Sequence, residues 1–261
     1  MAKVNLKDCF DKMLTSRIIP ILLHRGSQLV KGKQFNSWRN VGHALQATRI
    51  QQSREVDELI VLDIGATPEA RQPNLPLIKD LVADCYMPIT IGGGINCLRH
   101  IREILAEGAD KVAIGTKALD DLSFINIAAQ KFGSQAIVVS IDVNYCHAVM
   151  GRCGQRAYHS NPVQFAKRVE REGAGEILLQ SIDREGMMNG YDLDLIHAVS
   201  SAVNIPVIAA GGAGTYQHMA EALKAGAHAV AAGAMFQFTD ATPKGAARYL
   251  AEQGFSMRLV A

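Results

Sequence analysis

From Arg17 onward the chain alternates short apolar runs with longer amphipathic stretches. The runs are Ile18–Leu23, Leu59–Asp63, Ile89–Ile91, Val112–Ile114, Ala136–Asp142, Ile177–Gln180, Val207–Ala210 and Val230–Ala232, eight in all. They are nearly unbroken rather than alternating, as strands covered on both faces require. Between them apolar residues recur at helical spacing, as in Leu98, Ile101, Ile104, Leu105 and in Leu195, Ile196, Val199, Val203. Asn161-Pro162 and Thr242-Pro243 each place an N-cap residue before a proline suited to the first helical position. The rhythm predicts βαβ units around a parallel sheet.

The pattern also repeats. Gly108-Ala109-Asp110-Lys111-Val112-Ala113-Ile114-Gly115 matches Gly226-Ala227-His228-Ala229-Val230-Ala231-Ala232-Gly233 at an offset of 118 residues (108 to 226). Glu58–Leu62 against Glu176–Gln180 and Pro88–Gly94 against Pro206–Gly212 fall at the same offset. Two (βα)₄ halves in tandem predict an α/β fold of the (β/α)₈ TIM-barrel type, in about 250 residues. A doubly wound open sheet accommodates eight strands but gives no reason for the halves. Residues 1–12 are expected to be a poorly ordered extension and residues 13–261 a single barrel domain, with Met13 a possible alternative start to Met1.

Composition narrows the function classes. The 261 residues carry 27 Lys+Arg against 25 Asp+Glu, a near-neutral balance without a basic stripe, which argues against a nucleic-acid partner. No apolar stretch approaches the ~20 residues of a membrane span and the first residues do not resemble a signal peptide, so a cytoplasmic protein is expected. Cys9, Cys85, Cys97, Cys146 and Cys153 include no C-x-x-C pair, and the eight histidines form no cluster with ligand spacing. Free thiols, no metal and no cofactor are expected.

In a barrel of this kind chemistry sits at the C-terminal ends of the strands. Gly92-Gly93-Gly94 and Gly211-Gly212-Ala213-Gly214 follow the third and seventh runs, and Gly115-Thr116 and Gly233-Ala234 follow the fourth and eighth. Glycine lets backbone N–H groups approach an anion and a following helix start favours negative charge, so the paired loops suit a ligand with two phosphates; each loop alone could equally be a tight turn. Asp63, Asp142, Asp183 and Glu185 are the acidic candidates, with Asp142 placed as a general acid or base or as a loop cap. Lys31 could supply a point charge to a phosphate or be solvated surface, and His24 reads more readily as surface than as part of the mouth. At the opposite end, Arg17, Glu58, Lys111 and Glu176 stand at the starts of strands and can form an ion-pair ring, either as simple stability at the barrel bottom or as a gate.

These residues resemble the cyclase subunit of imidazole glycerol phosphate synthase (the HisF family), a barrel that works with a glutamine amidotransferase partner in histidine biosynthesis. The resemblance covers nearly everything from Arg17 and rests on Arg17–Pro20, Leu62–Ile64, Gly92–Ile95, Phe132–Asp142, Gly173–Leu179, Asp183–Gly186, Gly190–Leu193 and Gly211–Gly214. It implies a glutaminase docked on the N-terminal rim, with Arg17, Glu58, Lys111 and Glu176 as the ammonia gate. It also implies that Asp142 is one of two catalytic aspartates, that Lys31 contacts substrate, and that the loops at Gly93, Gly94, Gly115, Thr116, Gly211, Gly212, Gly233 and Ala234, with Ser181 and Gly186, hold a phosphorylated small molecule.

One position departs from the family. Its other catalytic aspartate closes the first strand, where this chain has Leu23, which can neither give nor take a proton. Gly115, Gln180 and Glu185 likewise replace the usual Asn, Thr and Asp. General acid–base steps are worth roughly 10²- to 10⁴-fold in rate, so cyclisation should be badly impaired. Leu22-Leu23 and Arg71-Gln72-Pro73-Asn74 are similar to a paralogous branch, the glycosyl amidation-associated barrels, which implies ammonia supply to a separate sugar amidotransferase making surface glycans such as O-antigen. A cyclase relying on Asp142 alone, and a scaffold that binds a glutaminase without passing ammonia, are the alternatives.

Overall fold

The computed structural model describes residues 15–158 and 160–259; the predicted extension at residues 1–12, and Cys9 with it, lies outside them. The strands run β1 (Arg17–Arg25), β2 (Gln28–Lys33), β3 (Asn36–His43), β4 (Leu59–Asp63), β5 (Ile89–Gly92), β6 (Lys111–Ile114), β7 (Ile137–Val143), β8 (Val149–Gly151), β9 (Arg156–Tyr158), β10 (Glu176–Ser181), β11 (Val207–Ala210) and β12 (Ala229–Ala232). Eight of them, β1, β4, β5, β6, β7, β10, β11 and β12, pair in parallel in that order, and β7 pairs with β10 while β12 pairs with β1, so the sheet closes on itself. This is a (β/α)₈ barrel, and the open-sheet alternative is excluded. Each of the eight apolar runs forms one barrel strand, extended by a residue or more at its ends in most cases.

Closure sorts the side chains. Strand residues alternate across the wall, so Ile19, Ile21, Leu23, Ile60, Val138, Leu178, Ile208 and Ala231 fill the inside of the barrel. Their neighbours, such as Ile18, Leu22, Leu59, Val61, Val139 and Ile177, pack outward against the helices. The helix Leu98–Ala106 shows how the outer layer is specified, turning Ile101 and Ile104 to the sheet while its charged residues face out. The two predicted helix starts are present: the Asn161 side chain accepts from Val163 N at 3.0 Å and Gln164 N at 3.2 Å, and Thr242 Oγ1 accepts from Gly245 N at 3.0 Å.

The 118-residue repeat is visible in the hydrogen bonds. Leu59 N donates to Pro88 O and Ile177 N to Pro206 O, each at 2.9 Å. Asp110 N donates to Ile89 O as His228 N does to Val207 O. A Cβ on Gly93 would collide with Asp63 O, and one on Gly211 would come within 2.5 Å of Ser181 O. Both glycines have positive φ, +111° and +88°. These two turns therefore need glycine for conformation and for space, in equivalent places in the two halves.

Two antiparallel hairpins were not foreseen. β2–β3 follows β1 and β8–β9 follows β7, both at the C-terminal end of the barrel. The β2–β3 turn holds Gln34 and Phe35 at φ of +52° and +57°, and Ser37 follows at +54°. Two-residue turns of this hand favour Asn-Gly, and a left-handed non-glycine residue costs about 1–2 kcal/mol, so this hairpin is held in shape by what it touches.

Asn161→Ala is expected to lower stability by about 0.5–2 kcal/mol through loss of the cap, read as a fall in the urea midpoint with an unchanged circular dichroism spectrum.

Candidate functional site

At the N-terminal end the four charges predicted to form a ring do so. Arg17 reaches Glu58 at 2.6 Å and Glu176 at 3.0 Å, and Lys111 Nζ reaches Glu58 at 3.0 Å and Glu176 at 3.1 Å. Each cation thus bridges both anions, and each anion both cations. Glu58 is 2% exposed and takes a further bond from Thr90 Oγ1 at 3.0 Å. Burial alone would lower the Arg17 pKa, but the two carboxylates more than offset it and the guanidinium is held above its ordinary value. Directly above lie Ile19, Ile60, Val138, Leu178 and Ile208, an apolar filling with no charge.

At the C-terminal end a cavity of about 350 Å³ opens at the mouth, within the size range of small-molecule sites. Its lining includes Gly93, Gly94, Gly115, Thr116, Gly186, Gly211, Gly212, Gly233 and Ala234, together with Asp142 and Leu23. The paired loops expected from the repeat therefore meet at one cavity. Asp142 accepts from Ser140 Oγ at 3.0 Å. Burial pushes its carboxyl up to about 6, against the Ser140 bond and with help from the charge of Glu185.

Lys31 and Ser181 are both buried beside the glycine loops. Lys31 is on β2, 2% exposed, with Nζ 3.6 Å from Glu185 Oε1 and no hydrogen-bond partner. Its ammonium packs on the Cα of Gly233, leaving no room for a side chain there. Burial lowers its pKa while Glu185 raises it. Solvated surface is thereby excluded for Lys31, whose ammonium lies against Gly233 of the cavity lining. Ser181, 6% exposed, has its backbone against Gly211 of the same lining. His24 is also not surface: it is 3% exposed, its Nδ1 is 2.7 Å from Gly26 O, and burial lowers its pKa.

The remaining acids divide. Asp63 caps its own loop, accepting from Gly65 N at 2.9 Å and Ala66 N at 3.1 Å, and pairs with Arg71 Nη1 at 3.1 Å. Glu185 lines the cavity, accepts from Gln180 Nε2 at 2.8 Å and faces Lys31. Gln180 and Glu185 are thus bonded to each other. Asp183 lies on the same loop, its backbone carbonyl taking a bond from Gln34 Nε2 at 3.0 Å.

A family model for histidine biosynthesis proteins matches residues 17–242. The chain is 44% identical over 253 residues to a Campylobacter jejuni protein assigned provisionally as imidazole glycerol phosphate synthase subunit hisF2, covering 95% of this chain and 100% of the relative. It is 40% identical to the imidazole glycerol phosphate synthase subunit HisF of Thermococcus onnurineus (95% and 99% covered) and 39% identical to that of Chlorobium phaeobacteroides (95% and 100% covered). The chain belongs to the HisF family.

In this HisF-family barrel several cavity residues escaped sequence reasoning: Phe35, Trp38, Ser140, Arg152 and Cys153. Phe35 and Trp38 come from the β2–β3 hairpin and Arg152 and Cys153 from the β8–β9 turn, and neither hairpin carries an Asn-Gly or Asp-Gly signal. Ser140 lies within the apolar run Ala136–Asp142, and the alternation of β7 sets it on the same face as Asp142. Cys153 donates to Ile64 O at 3.2 Å, and burial with the charges of Asp142 and Asp63 pushes its thiol up to about 12, so it stays protonated and a poor nucleophile. Among the described residues no group of His, Cys, Asp or Glu could hold a metal ion, and no helix is long and apolar enough to cross a membrane.

Because the folded Asp142 carboxyl lies near 6 and its ordinary value is 3.8, the fold favours the protonated form. Stability present at pH 4 is then lost as pH rises through about 6. Urea midpoints at pH 4.5 and 7.5 should shift against the wild type relative to Asp142→Asn as the pH is raised; parallel shifts would contradict a raised carboxyl.

Proposed function

We propose that this chain is the barrel subunit of a glutamine amidotransferase: a glutaminase docks at the N-terminal rim and releases ammonia, which crosses the barrel to the mouth. The observation that carries the reading is the closed ring of Arg17, Glu58, Lys111 and Glu176 beneath an uncharged interior. The ring, two cations against two anions, offers ammonium no net attraction, and the cost of taking an ion into an apolar medium stops it there. Neutral ammonia does not meet that cost. Barrel interiors are packed rather than hollow, so transit requires one arm of the ring to swing aside. Lys111 is a compact ammonium on a flexible stem, which suits that movement better than the planar fork of Arg17.

At the mouth, Asp142 is available as an acid or base and Leu23 is not. The proposed specialisation follows: ammonia is handed to a separate acceptor enzyme, such as one that amidates a nucleotide-linked sugar, rather than consumed in ring closure here. The intact cavity with its paired glycine loops favours a second reading, in which the barrel is a cyclase of histidine biosynthesis that relies on Asp142.

Expression in a histidine auxotroph that lacks the cyclase subunit separates the two. No growth without histidine is expected, and robust growth would overturn the specialised reading. Lys111→Ala should sharply reduce glutamine-dependent product formation by the assembled system while leaving output from added ammonium salt unchanged. Equal glutamine-dependent output from the variant would mean a scaffold that passes no ammonia.

A further inference from the structure

Leu23 does more than remove an acid from the mouth. Together with Ile21, Leu62 and Ile64 it forms an apolar wall of the cavity, and Trp38 and Phe35 continue that wall outward from the barrel. Ser140, Asp142, Gln180 and Glu185 supply the polar side chains of the same cavity. The ligand space therefore has one face of hydrocarbon and indole, one face of carboxyl, amide and hydroxyl groups, and glycine loops around it.

Trp38, the only tryptophan in the chain, is seated with unusual definition. A Cβ on Gly32 would come 2.6 Å from Cε3 and 3.0 Å from Cδ2 of the indole, so the ring lies on the bare backbone of the neighbouring strand. Phe35 stands 6.4 Å from it, centroid to centroid, tilted by 41°. The left-handed backbone of Gln34, Phe35 and Ser37 places the pair there. Strain of this sort is retained where the surroundings fix it and is commonest at functional sites. Here it is fixed by Gln34 N donating to Glu185 O at 2.9 Å, by Gln34 Nε2 donating to Asp183 O at 3.0 Å, and by Phe35 packing on Gly154 of the other hairpin.

We propose that Trp38 is a specificity-determining residue of the mouth. Its indole takes the planar heterocyclic part of a phosphorylated ligand by stacking, with the phosphate held at the glycine loops and the polar edge of the ring turned towards Asp142. This rests on the reading that the glycine loops hold a phosphorylated molecule, and is independent of where the ammonia goes. Base–aromatic stacking depends on the π-face and not on one edge pattern, so any ring of this size is accepted and a bare sugar phosphate is held more weakly.

The single tryptophan makes the test direct. Adenosine 5′-monophosphate and ribose 5-phosphate share the phosphate and sugar and differ in the ring. By calorimetry on the full chain, the nucleotide is expected to bind at least tenfold more tightly, and to quench Trp38 emission where ribose 5-phosphate leaves it unchanged. Trp38→Leu should abolish the preference while keeping the ribose 5-phosphate affinity, which also reports that the mouth is folded; Trp38→Phe should keep part of the preference. Equal affinities, an unquenched Trp38, or a preference that survives in Trp38→Leu would overturn the proposal and leave the phosphate reading standing. Failure of both compounds to bind would overturn both.

Discussion

The strand ladder closes where Glu176–Ser181 pairs with Ile137–Val143, and the rest of the molecule follows from that closure. An open sheet exposes two edges and leaves its faces free to tilt; a closed one has no edge, and every strand must alternate its side chains strictly between inside and outside. Residues at the same height on different strands are then forced together whatever their distance in sequence. Arg17 and Glu176 are 159 positions apart and share an ion pair because both begin strands; Leu23, Asp142 and Gln180 share a cavity because all three lie near strand ends. The two ends of the barrel cannot be adjusted separately, since both are set by the same registers.

Much of this was legible from residues. Nearly unbroken apolar runs such as Leu59–Asp63 marked strands covered on both faces, and the match of Gly108–Gly115 to Gly226–Gly233 marked a duplicated half, which only a closed arrangement explains. The ring could be anticipated because its members sit at run starts, where strand position translates directly into height. The hairpins could not. Residues 28–43 contain Lys31, Lys33, Arg39 and several polar residues with no clean alternation, and their conformation is imposed by contacts with Asp183, Glu185 and Gly154, all distant in sequence. The same blindness misplaced His24 and left Lys31 open between a phosphate contact and solvated surface, since a charged residue after a strand is ordinarily wet and these two are covered by elements that local pattern does not announce.

Burial also explains why the mouth is uneven in its chemistry. Lys31 is a cation with one carboxylate nearby and no hydrogen bond, Asp142 a carboxyl pushed up to about 6, and Gln180 and Glu185 a bonded pair. In an interior of low polarisability such groups respond to one another, and Leu23, uncharged among them, adds nothing to the field they share. Glu185 is the connecting element, because it touches Gln180 and Lys31 and raises Asp142.

The ring of four charges sums to zero, and that balance governs what a docked partner would meet. While all four contacts hold, the rim offers no net charge at its centre and attracts neither sign. Moving Lys111 outward unbalances the floor: an anionic hole is left between Glu58 and Glu176, and a cation is presented to whatever lies beneath. A partner surface with an acidic group at that point would draw the lysine out, whereas one with a basic group would keep it in place. In the proposed gate, assembly and opening would then be linked through this single side chain.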